Sequence, residues 1–553
     1  MPLRDYADSL RMKNGIELHA LDHQTFDLIV IGGGINGAGI ARDAVMRGLK
    51  TLLLEKGDFA SGTSSHSSRL VHGGVRYLEQ LDFKLVFEAC QERHRLRALA
   101  PHLVWPLPFL IPVYQKDRRQ RWQYKIGLTL YDLLALFRNV ENHQSLSKAQ
   151  LLEREPNLNP EGLKGGMLYW DAQMNDARLC LENILSAEQH GAICLNYAQV
   201  VSIDHIKHQE YPFVVAAQDQ QESIGVQVRS KCVVNAAGPW VDDILKVSHH
   251  QGERRVRRTK GVHIFVPRLT QKHALLLSAQ MDGRVFFVMP WEKMTYIGTT
   301  DTDYHGDLDV VAADDADIDY LQSEALHVLK GVEKQIRTVT ATYSGLRSLV
   351  NVLDGKPSSV TREHQIPEIE TGFFAVVGGK YTTYRLVAEQ TVNKVVKYLG
   401  LSEKTKTKDA LLYGSVHLAD HAIWRTHEKE RLVREHGLAE VEALHVLDTY
   451  GIQYEKVIGL IRLDTSLGER LHPDKPNLKA EVLYALENEK AKTISDILWR
   501  RMTFNSNFDQ ALIAANSIAQ VLDRHLSWSK EKIDSNLKEV HEFVQLNMAC
   551  ISG

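Results

Sequence analysis

The chain has 553 residues, 44% of them hydrophobic and 24% charged, an apolar fraction that excludes collagen-like, coiled-coil and disordered classes and a length that predicts about two to four domains. Lys plus Arg number 66 against 69 Asp plus Glu, and the formal net charge of −3 excludes a bulk nucleic-acid binder. The five cysteines, at 90, 180, 194, 232 and 550, form no CxxC pair, which disfavours a disulfide framework or a zinc ribbon and fits a reducing compartment.

Residues 1–24 read as an N-terminal extension with a short helix through Leu3, Tyr6 and Leu10. Arg4, Asp5, Asp8, Arg11, Lys13 and Glu17 leave it no apolar middle, so it is not read as a signal peptide. The folded part is expected to begin at Phe26. No stretch approaches the roughly 20 uninterrupted apolar residues that a membrane-spanning helix needs.

The strongest local pattern is DLIVIGGGINGAGIARDAVMRGLKTLLLEKGD, residues 27–58. A buried strand ends at Ile31, and Gly32, Gly34 and Gly37 follow in G-x-G-x-x-G spacing. A helix runs from Ile35 through Ala41, Ala44 and Val45, Gly48 ends it, and a second apolar strand, Thr51–Leu54, finishes at Glu55. The first glycine permits the tight turn, the second lets a pyrophosphate approach, and the third lets helix and strand pack closely. The helix start offers free N–H groups to phosphates. A carboxylate at Glu55 suits ribose hydroxyls and repels a 2′-phosphate, so FAD or NAD fits better than NADP.

Residues 61–77, SGTSSHSSRLVHGGVRY, carry hydroxyls and small residues able to line a phosphate or a flavin ring; the alternative is a Ser-rich surface loop. Residues 116–137, KDRRQRWQYKIGLTLYDLLALF, cluster Lys116, Arg118, Arg119, Arg121 and Lys125 with Trp122 and Tyr124. Ile126, Leu130, Leu133, Leu134 and Phe137 then follow at helical spacing. That combination predicts a helix lying in an anionic membrane surface, with an ordinary amphipathic helix over the core as the alternative. VVNAAGPWVDD (233–243) and FFAVVGGKYTTYR (373–385) are strands that run into small residues, each another place for backbone to approach a cofactor or else an ordinary strand-to-helix turn. Strands are predicted at Asp27–Ile31, Thr51–Leu54, Lys231–Asn235, Val285–Met289 and Phe373–Val377.

Glycine and proline thin out after residue 400. Leu438, Val441, Leu444 and Leu447 recur every three residues, and Ile494, Leu498 and Met502 every four. An all-helical domain over 401–553 is predicted, its boundary between 398 and 415 at the polar run Lys404–Lys408.

Taken in order, IGGGINGAGIARDA, SSHSSRLVHGGVRYLE, PWEKMTYIGTTD, SGLRSLV and GGKYTTYR resemble the FAD-dependent glycerol-3-phosphate dehydrogenase family, in its aerobic, quinone-linked form, over about residues 26–390. The resemblance implies an α/β fold: a Rossmann-like FAD-binding domain interleaved with an antiparallel-sheet substrate domain over 25–400, plus the all-α C-terminal domain. It implies FAD as cofactor and oxidation of sn-glycerol 3-phosphate to dihydroxyacetone phosphate by hydride transfer from C2 to flavin N5, with electrons passed to a membrane quinone. Relatives that use oxygen share most of these motifs. The chain differs from the family pattern in its N-terminal extension and in Tyr381, where an aliphatic residue is common.

By resemblance the phosphate clamp falls on Arg76, Tyr77, Arg347, Arg362 and Lys380. Arg suits phosphate because its planar fork matches the oxygens. His72 is the candidate acid/base, since an imidazole titrates near neutrality. Arg347 or Lys380 is the alternative group for polarising the hydroxyl, and His263 reads as core or cofactor lining. FAD contacts are expected from Gly32, Gly34, Asn36, Gly37, Glu55, Ser64, Ser67, His72, Gly238, Gly378, Gly379 and Thr382. The 25 histidines are too scattered for a metal site. The expected setting is the inner face of the cell membrane, in the cytoplasm, with the oligomeric state left open, a homodimer included. Rival readings are an amine or 2-hydroxy-acid oxidase on the same fold and a non-catalytic flavin sensor.

Overall fold

The computed structural model describes residues 17–250, 252–351 and 363–549. The helix expected through Leu3, Tyr6 and Leu10 and the clamp residue Arg362 lie outside the described residues. Leu18 and Leu21, on a short 3₁₀ turn, are buried, so the packed core starts ahead of Phe26.

The strand Thr25–Ile31, apolar from Leu28 to its end, sits at the centre of a sheet. It pairs in parallel with Thr51–Leu54 on one side and with Gly225–Asn235 on the other. Ile193–Leu195 and Phe373–Ala375 extend the two sides, again in parallel. Strands of this kind are buried on both faces, which is why they read as continuous apolar runs. The chain leaves the central strand in one direction and returns on the opposite side. The loops at the carboxyl ends of Thr25–Ile31 and Gly225–Asn235 therefore diverge, and Ile31 is in register with Asn235 at the mouth of that crevice. Helices Ile35–Met46, Asp176–Gln189 and Tyr384–Tyr398 pack on one another beside this sheet.

A second, largely antiparallel sheet is built around Val104–Tyr114 paired with Leu163–Met174, and Val256–Pro267 paired with Ala341–Val350. Side chains alternate between its faces. Val262, Ile264 and Val266 join one core with helix Asp315–Val328, while Phe265 on the same strand joins another. His263 shares Phe265's face and is stacked on Tyr343 at 4.7 Å. The register of one strand thus decides which side chains reach the site.

From Leu418 onward the described chain is helical apart from connecting turns, and its core is continuous with the Phe109, Phe265 and Tyr343 face of the second sheet. The stripe expected on Glu440–Tyr450 is corrected. Val441 is 52% exposed, whereas Ala443, Val446, Leu447 and Tyr450 are buried. A spacing of three drifts about 60° per step around a helix of 3.6 residues per turn, so only the mixed three-and-four spacing keeps one face inward. Ile494, Leu498 and Met502 are all buried, but on a short helix that widens into a π-turn over Ile497–Arg501. The polar run near residue 405 is pinned to the first domain: Thr405 Oγ1 donates to Asp43 at 2.5 Å and Arg42 donates to the Ala410 carbonyl at 2.8 Å.

Candidate functional site

The crevice at the switch point opens into a cavity of about 1010 Å³. Gly32, Gly34, Asn36, Glu55, Ser64, Ser67, His72, Arg76, Tyr77, Gly238, Arg347, Gly378, Gly379, Lys380 and Thr382 all line it. Gly37 stands behind the wall. A Cβ there would lie 1.8 Å from the Gly32 carbonyl oxygen, so this glycine is what allows the helix to meet the strand end. Gly32 has φ +109° and a Cβ on it would meet the Ala236 carbonyl oxygen at 2.7 Å. The two loops therefore touch through backbone at their first residues, before they part.

Glu55 accepts hydrogen bonds from the Gly33 and Gly57 N–H groups, at 2.6 and 2.8 Å, one on each carboxylate oxygen. Burial pushes its proton affinity up, and those two donors oppose the shift. Each oxygen keeps a second lone pair for a ribose hydroxyl. Ser64 accepts from the Ile35 N–H at 2.9 Å, placing a hydroxyl at the helix N-terminus where phosphates bind. Ser67 donates to Asp176 at 2.7 Å, so its hydroxyl is engaged in holding the 61–77 segment against helix Asp176–Gln189. Gly379 lies across from Asn36, whose Nδ2 is 3.9 Å from a Cβ built there.

The cationic end is built on Gly73 and Gly74. A Cβ on Gly73 would lie 2.3 Å from the Tyr131 hydroxyl and 2.4 Å from Cys90 Sγ; one on Gly74, at φ +75°, would strike the Tyr77 ring at 2.4 Å. The Gly73 N–H donates to Asp171 at 3.1 Å, and the same carboxylate receives Tyr131 OH at 2.7 Å and pairs with Arg93. This buried trio fixes the turn that presents His72, Arg76 and Tyr77. Tyr77 then carries two cations: Lys380 Nζ lies 3.6 Å from its ring centroid, and the Arg76 guanidinium 4.9 Å from it while donating to its hydroxyl at 2.9 Å. Thr382 accepts from the His72 N–H at 3.1 Å, tying the His72 turn to the Lys380 loop. Arg347 reaches in from Ala341–Val350, paired with Asp301 at 3.1 Å and donating to Thr299 at 2.8 Å. Burial, then Lys380, Arg76 and Arg93, hold His72 down to about 3, so its imidazole is neutral throughout the physiological range.

Several lining residues escape sequence reasoning. Asp301 and Thr299 sit in the PWEKMTYIGTTD stretch but carry no spacing that marks them. Phe543, Leu546 and Asn547 bring the C-terminal helix Lys530–Met548 into the cavity wall, and the Asn547 carbonyl accepts from Thr342 at 2.8 Å. The order of the chain gives no hint of that approach. His263 lines the cavity within hydrogen-bond distance of Ser68 Oγ, at 2.9 Å.

Residues 27–383 match the family model "FAD dependent oxidoreductase", and residues 405–533 match "C-terminal domain of alpha-glycerophosphate oxidase". A glycerol-3-phosphate dehydrogenase of Synechocystis sp. is 38% identical over 547 residues, covering 95% of this chain and 98% of the relative. The chain belongs to the FAD-dependent glycerol-3-phosphate dehydrogenase family. Glycerol-3-phosphate dehydrogenase 2 of Mycobacterium tuberculosis is 36% identical over 93% of this chain and 87% of its own. A solved glycerol-3-phosphate dehydrogenase from Bacillus halodurans, complexed with FAD, superposes with a TM-score of 0.79 at 28% identity, over 99% of this chain and 98% of that one. FAD is thus the family's cofactor, and the residues present fit it. Gly32 and Gly37 keep the turn after the first strand free of side chains, Glu55 leaves carboxylate lone pairs in the cavity wall that would suit ribose hydroxyls, and the cavity is at the upper end of the size of small-molecule sites.

Proposed function

We propose that this member of the family oxidises sn-glycerol 3-phosphate to dihydroxyacetone phosphate and passes the electrons to a membrane quinone, working from the cytoplasmic face of the cell membrane. The observation that carries the substrate is the convergence of Arg76, Lys380 and Arg347 on the end of a cofactor cavity, with Tyr77 between the first two. Asp301, paired with Arg347, is also close enough to act on Arg76, which puts all three cations at one end. Their charge suits a phosphate dianion; a monocarboxylate would leave it in excess.

FAD bound in the cavity supplies the acceptor for the hydride that leaves C2. The chain's own residues bind and orient the phosphate, exclude water, and take the hydroxyl proton. His72 is the proton acceptor in this reading, and substrate strengthens it: a phosphate dianion beside Lys380 and Arg76 offsets two of the cations that depress its imidazole. The pH profile follows from the sign. Because the neutral form is the base, activity falls only below the imidazole's own pKa. In the free enzyme that is about 3, so kcat/KM has no acid limb from His72 above pH 5. In the substrate complex the limb moves up and appears in kcat. His72→Gln should lower kcat more than it raises KM and should erase the kcat limb; profiles of the two parameters from pH 5 to 9 check it, and a wild-type rate of flavin reduction in the variant would remove His72 from the role.

The membrane reading is supported by the helix Arg121–Leu134. Leu128 and Tyr131 anchor it to the core, while Trp122 and Ile126 on it and Phe137 in the turn after it are 63%, 61% and 61% exposed. Leu81, Phe83 and Phe87 add exposed apolar surface on the neighbouring segment. Soluble surfaces rarely gather such side chains, and Arg118, Arg121 and Lys125 beside them suit anionic headgroups. Replacing Lys116, Arg118, Arg119, Arg121 and Lys125 with Gln should release the protein from anionic liposomes in a flotation assay; unchanged flotation would reject the interface. Turnover is tested by anaerobic addition of glycerol 3-phosphate. Bleaching of the flavin, reversed by a quinone analogue faster than by air, is the expected result. Absence of bleaching rejects the substrate, and faster reoxidation by air makes the enzyme an oxidase.

A further inference from the structure

The loop after Glu55 is held from two directions. Towards the cofactor, the Ala60 N–H donates to the Gly33 carbonyl at 3.1 Å, and Glu55 receives the Gly33 N–H. Towards the helical domain stands Asp58, wholly buried. It receives Arg500 Nε at 2.5 Å and Arg501 Nη1 and Nη2 at 2.5 and 2.9 Å. Both arginines come from the π-turn Ile497–Arg501, more than 400 residues downstream in the chain. Such turns, which widen a helix to re-aim side chains, recur at functional sites. Here the widening presents two adjacent arginines to one carboxylate. Asn196 is a third residue that donates to Asp58, at 3.0 Å.

We propose that Arg500, Arg501 and Asp58 form a clamp through which the helical domain holds the Glu55 loop in its FAD-binding conformation, so that they are positioning residues for cofactor retention. The clamp touches neither the reacting atoms nor the phosphate pocket. Its path to the cofactor is short: Asp58 carries Ser61 through a 3.1 Å backbone bond, and Ser61, Gly62, Thr63 and Ser64 line the cavity. A carboxylate that faces two buried guanidiniums stays ionised, and burial is outweighed by Arg501 and then Arg500, which pull it down to about 2. The charge pattern that fixes the loop is therefore constant across the working pH range. The proposal rests on FAD as the ligand of this cavity, and the test separates the two.

The experiment compares FAD dissociation constants of wild type, Asp58→Asn, Arg501→Lys and Arg500→Gln, measured by flavin fluorescence on release and rebinding, with kcat and KM at saturating FAD and melting temperature in parallel. Asp58→Asn is expected to weaken FAD binding by about 30-fold, which at 1.4 kcal/mol per tenfold is about 2 kcal/mol. Arg501→Lys should cost less, since it keeps the charge and loses the fork. With FAD saturating, kcat and KM should stay within twofold of wild type. An Asp58→Asn protein that melts lower but keeps wild-type FAD affinity overturns the proposal, leaving a plain structural ion pair. If Asp58→Asn fails to fold, Arg500→Gln carries the test, because Arg501 still holds Asp58: a threefold or larger loss of FAD affinity supports the clamp and any smaller change rejects it. A wild-type chain that takes up no flavin at all would refute the cofactor instead.

Discussion

Arg347→Ala is expected to raise KM for glycerol 3-phosphate by roughly 100- to 1000-fold while FAD stays bound. The wild-type side chain pairs with Asp301 at 3.1 Å, and both line the cavity. Truncation removes a cation and also leaves the Asp301 carboxylate facing an incoming phosphate without that guanidinium. Breaking one half of a partly buried charge pair in a binding site costs about 2–5 kcal/mol, most of it from the charge left behind. At 1.4 kcal/mol per tenfold, the middle of that range gives the stated loss. The same account predicts a rescue. Arg347→Ala combined with Asp301→Asn should recover about tenfold in KM, because the repulsive carboxylate is gone. Steady-state kinetics with the flavin absorbance recorded alongside decide it. A variant that loses FAD while KM holds would move Arg347 from the phosphate to the cofactor, and a double variant no better than the single would remove Asp301 from the explanation.

How much of this was readable in the chain depends on how far apart the causes lie. The fingerprint at 27–58 was legible because its reasons are local: Gly37 answers to Gly32 and Glu55 to Gly33, all within one strand–helix–strand unit. The parallel strands were legible too, since burial on both faces writes a continuous apolar run. Gly73 and Gly74 were visible as residues but not as requirements. What demands Gly73 is the Tyr131 hydroxyl and the Cys90 sulfur, delivered by other helices; Asp171 from the second sheet then holds its N–H. Ser67 illustrates the opposite limit. It lines the cavity as its place among small hydroxyl residues suggests, but its hydroxyl also donates to Asp176, a partner 109 positions away that no local pattern marks. In the helical region a three-residue periodicity chose the wrong face for Val441, because a real helix turns at 3.6 and only the packed neighbours reveal which residues stay inward. The clamp on Asp58 was beyond sequence reading altogether, since nothing near Arg500 and Arg501 marks them as partners of a loop at the other end of the chain.

Gly37→Ala should weaken FAD binding by about 10- to 100-fold and lower the melting temperature, although alanine is ordinarily the better helix residue. The position is inside Ile35–Met46, where Gly to Ala typically stabilises by about 0.5–1 kcal/mol. Here the added methyl would lie 1.8 Å from the Gly32 carbonyl oxygen and 3.0 Å from its carbon. The obstacle is backbone at the glycine turn that lines the cavity, so it cannot rotate aside as a side chain would. The helix must slide from the strand end, carrying the Ile35 N–H away from Ser64 and opening the contact that Gly32 makes with Ala236. Overpacking of this kind costs about 1–3 kcal/mol, larger than the propensity gain and of opposite sign. Gly459, in helix Tyr454–Leu463, supplies the control: nothing lies within 4 Å of a Cβ built there, so Gly459→Ala should raise the melting temperature slightly and leave FAD affinity unchanged. Thermal melts and FAD titrations of the two variants side by side separate the contributions. If both substitutions act alike, the close approach of helix and strand does not set cofactor affinity, and the glycine-lined turn is not what holds the pyrophosphate.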